Sequence, residues 1–595
     1  MRLTFRRAVW LSLAAGWLLA LPTLRMGLLW DDDLHRALIG GMDYPHRMLD
    51  LYAFAPGNPA AMEEHIERGP FPWFTAPGLK LNFFRPLSCA LLYLDVWLFG
   101  SNVWAAHLHS IAWYLALIAV AALVYRRLLP EGLAAFALLL FAIDGTHAIP
   151  AGWLANRHAL VAAVAALLGV YAHLRWRTGA IAPLGANGGG PEKGQGVEPV
   201  PFRHGAWVSA LAYAVALCAS EAALPALLYV PAFEAFGATG SRRQRLRALL
   251  PLALVASAWA VFYRVQGYGS TGSGIYLDPG HDPVSYLLTA VPRLSALLGA
   301  LTVGVPSDFW LDPNARPVLI GAGVLGVTLV GWLGARLWPT FDAPMRRTLA
   351  WLAAGAVLGL VPSVAVFPSD RLLLAPSLGA LAVFAAFLQA LWRQRSKLAA
   401  KFALLVLGSA HLLFPVAGWA LSPITLVKMA RAVERGALEP QLTPDQLSRR
   451  LIAFSAPDFA QTLYLSLVRR REMLPMPESW NVLSFAPYAH RVTRRSDRSF
   501  ELEVVGGSMG GTLYEQMLRS ERLPLNAGDR VRLWHSWVTV LESDGAHVRR
   551  LRLDLDDEPA AWQFVQWREG RVVPLELPPV GGSLLLDRHK GAFDR

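Results

Sequence analysis

The sequence predicts a polytopic α-helical membrane protein of about eleven transmembrane helices followed by a small C-terminal α+β domain. Three observations predict it. Of 595 residues, 54% are hydrophobic and only 16% charged, whereas soluble globular chains carry about a quarter charged residues. Apolar runs long enough to cross a bilayer follow one another to about residue 421. From about residue 425 the composition turns polar and alternates.

The net charge of +12 does not make a nucleic-acid footprint, because the basic residues stand in short clusters between apolar runs and not along one polar face. Cys89 and Cys218 lie far apart in apolar stretches, which leaves neither a disulfide framework nor a CxxC metal site. Arginine takes nearly every basic position, as GC-rich coding gives, and this points to a bacterial source.

The first span follows a basic head of Arg2, Arg6 and Arg7; with no small-residue cleavage site after it, it reads as a retained anchor. Further apolar runs lie near 104–125, 132–150, 158–174, 206–236, 247–264, 317–338, 347–366, 371–391 and 400–421. The run at 206–236 is too long for one crossing, so two short helices joined at Ser220-Glu221 are expected. With the N-terminus cytoplasmic, that division keeps Arg126-Arg127, Arg175 to Arg177, Arg242 to Arg247, Arg346-Arg347 and Arg393 to Lys397 inside, as the positive-inside rule requires. The stretch 284–304 is expected to lie in the interface or dip in and out.

This gives a membrane domain over 1–422, with 31–103 as its first outer loop, and an extracytoplasmic α+β domain over 423–595. The setting is the inner (plasma) membrane of a bacterium. Residues 179–205 form an inner loop whose 188–190 glycines read as linker. In the C-terminal region a helix is expected over 445–469, then strands near 500–505, 530–541 and 548–555.

That topology gathers Asp31, Asp32, Asp33, Arg85, His107, His147, Arg157, Glu221, Asp370 and Arg371 at outer helix ends. A charged side chain at membrane depth costs roughly 2.5–3.5 kcal/mol, so such residues usually line a polar cavity. Three adjacent carboxylates repel one another, which raises a pKa or recruits a cation, a divalent metal ion on Asp31 and Asp32; either suits a general base. The alternative is a solvated acidic helix boundary. Arg157 and Arg371 open spans on the side where positive charge is depleted, and a planar guanidinium there suits a phosphate or carboxylate; the alternative is an ion pair that fastens two helices. His107 reads equally as a packed histidine, and Glu221 as a partner for one of the arginines or a helix-turn cap. Trp104, Trp153 and Tyr263 read as interfacial belt.

These residues resemble the integral-membrane glycosyltransferases of the GT-C superfamily, in particular the bacterial relatives of the protein O-mannosyltransferase branch. Trp30-Asp31-Asp32 resembles the acidic signature after the first span. Phe84-Arg85-Pro86-Leu87, Leu98-Phe99-Gly100-Ser101-Asn102 running on to His107, and Trp153 with Asn156-Arg157 follow in order. Ser220-Glu221 with Leu224-Pro225, then Asp370-Arg371-Leu372 with Pro376-Ser377-Leu378-Gly379, complete the series over about residues 1–420. The chain departs from the family's His-Pro and downstream acidic residue, with Asp144-Gly145 and Ile149 around a retained His147, and has Ser220 where the family has lysine.

The resemblance implies a polyprenyl-phosphate-linked sugar as donor, its tail among membrane lipids, and transfer with inversion to an acceptor hydroxyl on a glycan, lipid or protein. Asp31, with Asp32 as the alternative, is then the base. Arg371, Arg157 and Arg85 face the donor phosphate, with Asp33, His107, His147, Glu221 and Asp370 in support. The rival readings are a transporter or flippase-like carrier and a non-catalytic envelope assembly protein. On the enzyme reading, deletion beyond about residue 425 is expected to leave the core chemistry intact.

Overall fold

The computed structural model describes residues 4–42, 49–69, 71–178 and 204–588; the expected linker at 188–190 lies outside them. The chain divides into two compact units. One comprises Met1–Gly27, Phe83–Tyr268 and Asp282–Ile424; the other comprises Leu28–Asn82, Gly269–His281 and Thr425–Arg595. Most of the expected first outer loop therefore clusters with the C-terminal region.

The first unit is a polytopic helical membrane body. Among the described residues, seven helices are long and apolar enough to cross a bilayer, and nine if each of two bent pairs is one span, against the expectation of about eleven. The difference has identifiable causes. The run at 206–236 does break at Ser220, whose extended backbone ends Gly205–Ala219 and whose hydroxyl accepts from the Ala222 N–H. The two pieces are each too short to count alone, Gly205–Ala219 having 15 residues. Ala343–Ser363 has 21 residues but carries Arg346 and Arg347 near its start, which lowers its mean hydropathy. Pro283–Val303, expected to lie in the interface or dip, is among the seven.

Local chemistry fixes the helix ends. Asn102 caps Val103–Leu128 by accepting from the Ala105 N–H, and Arg126 and Arg127 occupy its last turn, where cations complement the helix dipole. Asp144 ends Glu131–Ile143 and accepts from the Thr146 N–H at 3.1 Å. The core between helices is built from Ile111, Leu117, Ala121, Leu138, Phe141, Leu160 and Leu378. Small residues permit close packing of helices in lipid. A Cβ on Gly323 would overlap the Ser295 carbonyl, and one on Gly299 would lie 2.9 Å from the Gly323 nitrogen. Cys89 and Cys218 are not joined in a disulfide.

The second unit is β-rich. A six-stranded antiparallel sheet runs in the order 583–586, 489–494, 499–505, 548–555, 536–543 and 530–533. Leu553 faces Phe500 and Leu551 faces Leu502 in register, so the apolar positions of both strands share one buried face. The expected strands at 500–505 and 548–555 are present, while 530–541 is a hairpin of Arg530–Leu533 and Ser536–Ser543, turned at Trp534-His535 with His535 at φ 55°.

The expected helix over 445–469 is replaced by Pro444–Ser448, a strand at Arg450–Ala453, and the short helices Phe459–Leu463 and Leu465–Arg471. A short apolar run such as Leu451-Ile452-Ala453 suits helix and buried strand alike. Here parallel partners at 562–568 and 479–482 complete a four-stranded sheet around it, and the two short helices form the crossover between parallel strands 450–453 and 479–482.

Leu28–Asn82 is tied to the rest of this unit by backbone-directed bonds. Trp73 Nε1 donates to the Leu483 carbonyl at 2.7 Å, and Arg519 Nε to the Phe74 carbonyl at 2.6 Å. A three-stranded sheet joins 53–56, 80–82 and 269–271.

Candidate functional site

The candidate residues fall in both units. Asp31, Asp32 and Asp33 form the first turn of a helix, Asp31–Ile39, in the β-rich unit. Carboxylates suit the positive end of a helix dipole. Trp30, immediately before them, holds φ 42° and ψ −94°, a conformation that costs a non-glycine residue about 1–3 kcal/mol.

The three aspartates are not equivalent. Asp32, 3% exposed, accepts from the Leu29 N–H at 2.9 Å and so closes the turn that starts the helix. Asp33, also 3% exposed, accepts from Arg471 Nη1 at 2.6 Å, and Arg471 Nη2 also donates to Glu434 at 3.1 Å. Burial outweighs that arginine and pushes the Asp33 carboxyl up to about 6. Asp31 is only half-buried and accepts from the Tyr464 hydroxyl at 2.6 Å. Withdrawal from water and the Asp31 charge in turn push the Tyr464 phenol well above its ordinary range.

The other seven lie in the helical unit, and each expected arginine has a different environment. Arg85 forms a bidentate pair with Glu221, Nε donating at 3.1 Å, so the pairing reading of Glu221 holds. Arg157, buried, pairs with Asp95 and also donates to the Ala106 carbonyl at 3.3 Å. Asp95, 3% exposed, receives His109 Nδ1 at 2.6 Å, while Trp113 Nε1 donates to His109 Nε2 at 3.0 Å. The Trp113 bond assigns the His109 proton to Nδ1, so Asp95 is held by an arginine and a histidine together.

Arg371 differs from both. Its guanidinium lies 5.5 Å from the Trp153 ring and 5.8 Å from the Phe367 ring, and among the described residues no carboxylate pairs with it. Trp153, read from sequence as belt, is thus a wall for this cation.

The turn carrying Arg371 is latched reciprocally to 307–308. Ser307 donates through its N–H and hydroxyl to Asp370 Oδ1, both at 2.7 Å, while Ser369 donates to Asp308 Oδ1 at 2.7 Å. Withdrawal from water and the neighbouring Asp308 carboxylate hold the Asp370 carboxyl above the usual range.

His107 Nε2 contacts the Gly27 carbonyl at 2.9 Å, and His147 sits between the Phe141 and Tyr114 rings at 4.6 and 5.7 Å. Both are fully buried, and both are packed histidines of the helical core. Asp144 Oδ2 lies 4.0 Å from His147 Nε2.

The turns at 145–147 and 370–373 pack together, as do 221–223 and the helix His158–Thr178. Among the described residues, no group of three or more His, Cys, Asp or Glu side chains is arranged to hold a metal ion. Asp31 and Asp32 therefore do not make up a metal centre with a third such ligand among those residues.

Sequence reasoning missed Asp95, His109, Asp308, Tyr464 and Arg471. Asp95 carried a signal, being a lone carboxylate inside the apolar helix Pro86–Phe99. Tyr464 and Arg471 carried none, since their partners lie more than four hundred positions away.

The fold and site define a multi-pass helical membrane protein with a β-rich unit that bears an acidic helix start. No protein-family model matches the chain, and no curated protein matches it. Among solved structures, it is similar to ArnT from Cupriavidus metallidurans bound to undecaprenyl phosphate, at 15% identity and TM-score 0.39, over 80% of this chain and 89% of that one. It is also similar to the Archaeoglobus fulgidus oligosaccharyltransferase tethered to an acceptor peptide containing the NVT sequon. There the identity is 14% and the TM-score 0.36, over 79% of this chain and 64% of that one.

Proposed function

We propose that the protein is a membrane glycosyltransferase of the GT-C type that moves a sugar from a polyprenyl-phosphate donor to an acceptor hydroxyl on the extracytoplasmic face. The observation that carries this reading is the differentiation of the three aspartates. Asp32 accepts from the Leu29 N–H at the start of the helix and Asp33 from Arg471, while Asp31 is half-buried and accepts from the Tyr464 hydroxyl. The ordered motifs from Trp30-Asp31-Asp32 to Pro376-Ser377-Leu378-Gly379 support it.

In the proposed reaction Asp31 takes the acceptor hydroxyl proton as that oxygen bonds to the anomeric carbon. The bond from the anomeric carbon to the phosphate oxygen breaks with its electron pair, and configuration inverts. Within the helical unit, Arg371 is the cation left to bind a donor phosphate, since Arg85 and Arg157 are already engaged by Glu221 and Asp95.

The test is transfer of label from radiolabelled undecaprenyl-phosphate sugars into membrane acceptors by the wild type and by Asp31→Asn and Asp32→Asn. Asp31→Asn is expected to abolish transfer and Asp32→Asn to act through helix integrity. A carrier or an assembly protein transfers no label even as the wild type.

A further inference from the structure

We propose that Tyr464 is a positioning residue for catalysis, orienting the Asp31 carboxylate, and that the C-terminal region is therefore part of the catalytic apparatus and not an appended module. The inference rests on the reading of Asp31 as the base.

The hydroxyl of Tyr464 donates to Asp31 Oδ1 at 2.6 Å, the short distance of a hydrogen bond to a charged acceptor. Such a bond fixes the rotation of a carboxylate that stands at the first position of its helix, where its own backbone imposes little. The direction of the phenol is itself fixed. Tyr464 lies at the joint between Phe459–Leu463 and Leu465–Arg471, with φ −95° and ψ −13°. Its ring meets the Phe459 ring edge-on at 6.2 Å, and Phe459 stacks on Tyr514 at 4.0 Å with an interplanar angle of 13°.

Both short helices belong to the crossover between parallel strands 450–453 and 479–482. A hydroxyl carried at the joint of two scaffold helices is more sharply placed than one on a free loop. About two helical turns further on, Arg471 holds Asp33. The same crossover thus grips the aspartate helix at two points, and Asp31 is the one it grips through a neutral donor.

A displacement of about 1 Å at a reacting group costs about a hundredfold in rate. Tyr464→Phe removes the hydroxyl and leaves the ring packing, so the fold is expected to survive. The experiment uses the full chain in membranes, with radiolabelled undecaprenyl-phosphate sugars as probe, and compares the wild type, Tyr464→Phe and Asp31→Asn. Donor KM, kcat and thermal melting are measured for each.

Tyr464→Phe is expected to lower kcat by about tenfold to a hundredfold, with donor KM and melting temperature unchanged. Wild-type kcat in Tyr464→Phe, with Asp31→Asn inactive, overturns the positioning role and leaves the base assignment standing. A kcat loss that only tracks a fall in melting temperature and folded protein also overturns it, since that is a structural role. Full transfer by Asp31→Asn overturns the base assignment and this inference with it.

Discussion

Arg471 and Asp33 stand 438 positions apart in sequence, yet Arg471 Nη1 donates to Asp33 Oδ1 at 2.6 Å, with Asp33 3% exposed. Removing one partner of a buried ion pair leaves an uncompensated charge and costs about 3–5 kcal/mol. Arg471→Ala is expected to lower the melting temperature of the full chain markedly, and Arg471→Ala combined with Asp33→Asn to recover most of the loss. A melting temperature unmoved by Arg471→Ala would show that the pair does not hold this helix.

The same aspartate sets a pH dependence. Its carboxyl is raised from 3.8 in the unfolded chain to about 6 in the folded one, chiefly by burial. Between those values the folded state binds more protons than the unfolded state, so stability falls as pH rises. The contribution is fully present below about pH 4 and is lost as pH passes through about 6; a rise of that size is worth about 3 kcal/mol. Thermal melting across pH 4 to 8 is expected to show this decline in the wild type and a flatter curve in Asp33→Asn.

Arg157 and Arg371 stand in different environments, which the proposed function reads as a structural cation and a binding one. Arg157 is 2% exposed and shares Asp95 with His109, so Arg157→Ala is expected to reduce folded protein in membranes, and Asp95→Asn to do the same. Arg371 rests on the Trp153 and Phe367 faces, so Arg371→Ala is expected to leave folding intact. Loss of a charge-assisted hydrogen bond is worth about 1.5–3 kcal/mol, which is about tenfold to a hundredfold in donor kcat/KM. Quantifying folded protein by size-exclusion profile beside transfer rate distinguishes the two.

The reciprocal latch between Ser307-Asp308 and Ser369-Asp370 holds the turn that carries Arg371. Asp308→Ala removes the acceptor of the Ser369 hydroxyl. It is expected to raise donor KM in the same direction as Arg371→Ala but less, and an unchanged KM would detach the latch from the arginine.

Deletion of Thr425–Arg595 removes Tyr464 and Arg471 together. From sequence alone that deletion separates an enzyme from a scaffold, because every residue read as catalytic lies within 1–422. With the aspartate helix gripped by both residues, an enzyme is expected to lose transfer as well, and point variants have to replace the truncation as the discriminating test.

The membrane class and most spans were legible because apolar runs and arginine clusters are local signals; the break at Ser220 was legible for the same reason. Two expected spans do not stand among the candidates, because Gly205–Ala219 has only 15 residues and Ala343–Ser363 carries Arg346 and Arg347 near its start. The helix read over 445–469 failed where Leu451 to Ala453 became a parallel strand, a choice made by partners at 479–482 and 562–568.

Among site residues, the acidic run and the two engaged arginines were visible as types out of place in apolar surroundings. Which arginine had a carboxylate partner was not visible, because Glu221 lies 136 positions from Arg85 and Asp95 lies 62 from Arg157. The different environments of Asp31 and Asp33 were invisible for the same reason, since they depend on Tyr464 and Arg471.

Asp31 as the base of a lipid-linked sugar transfer is tested most directly by the initial rate of label transfer from undecaprenyl-phosphate sugars. The measurement compares membranes carrying equal amounts of folded wild type and Asp31→Asn. Transfer by the wild type is expected, with a loss of at least about a hundredfold in the variant, in the range of general-base contributions. Equal rates in the two would contradict the assignment of Asp31 as base.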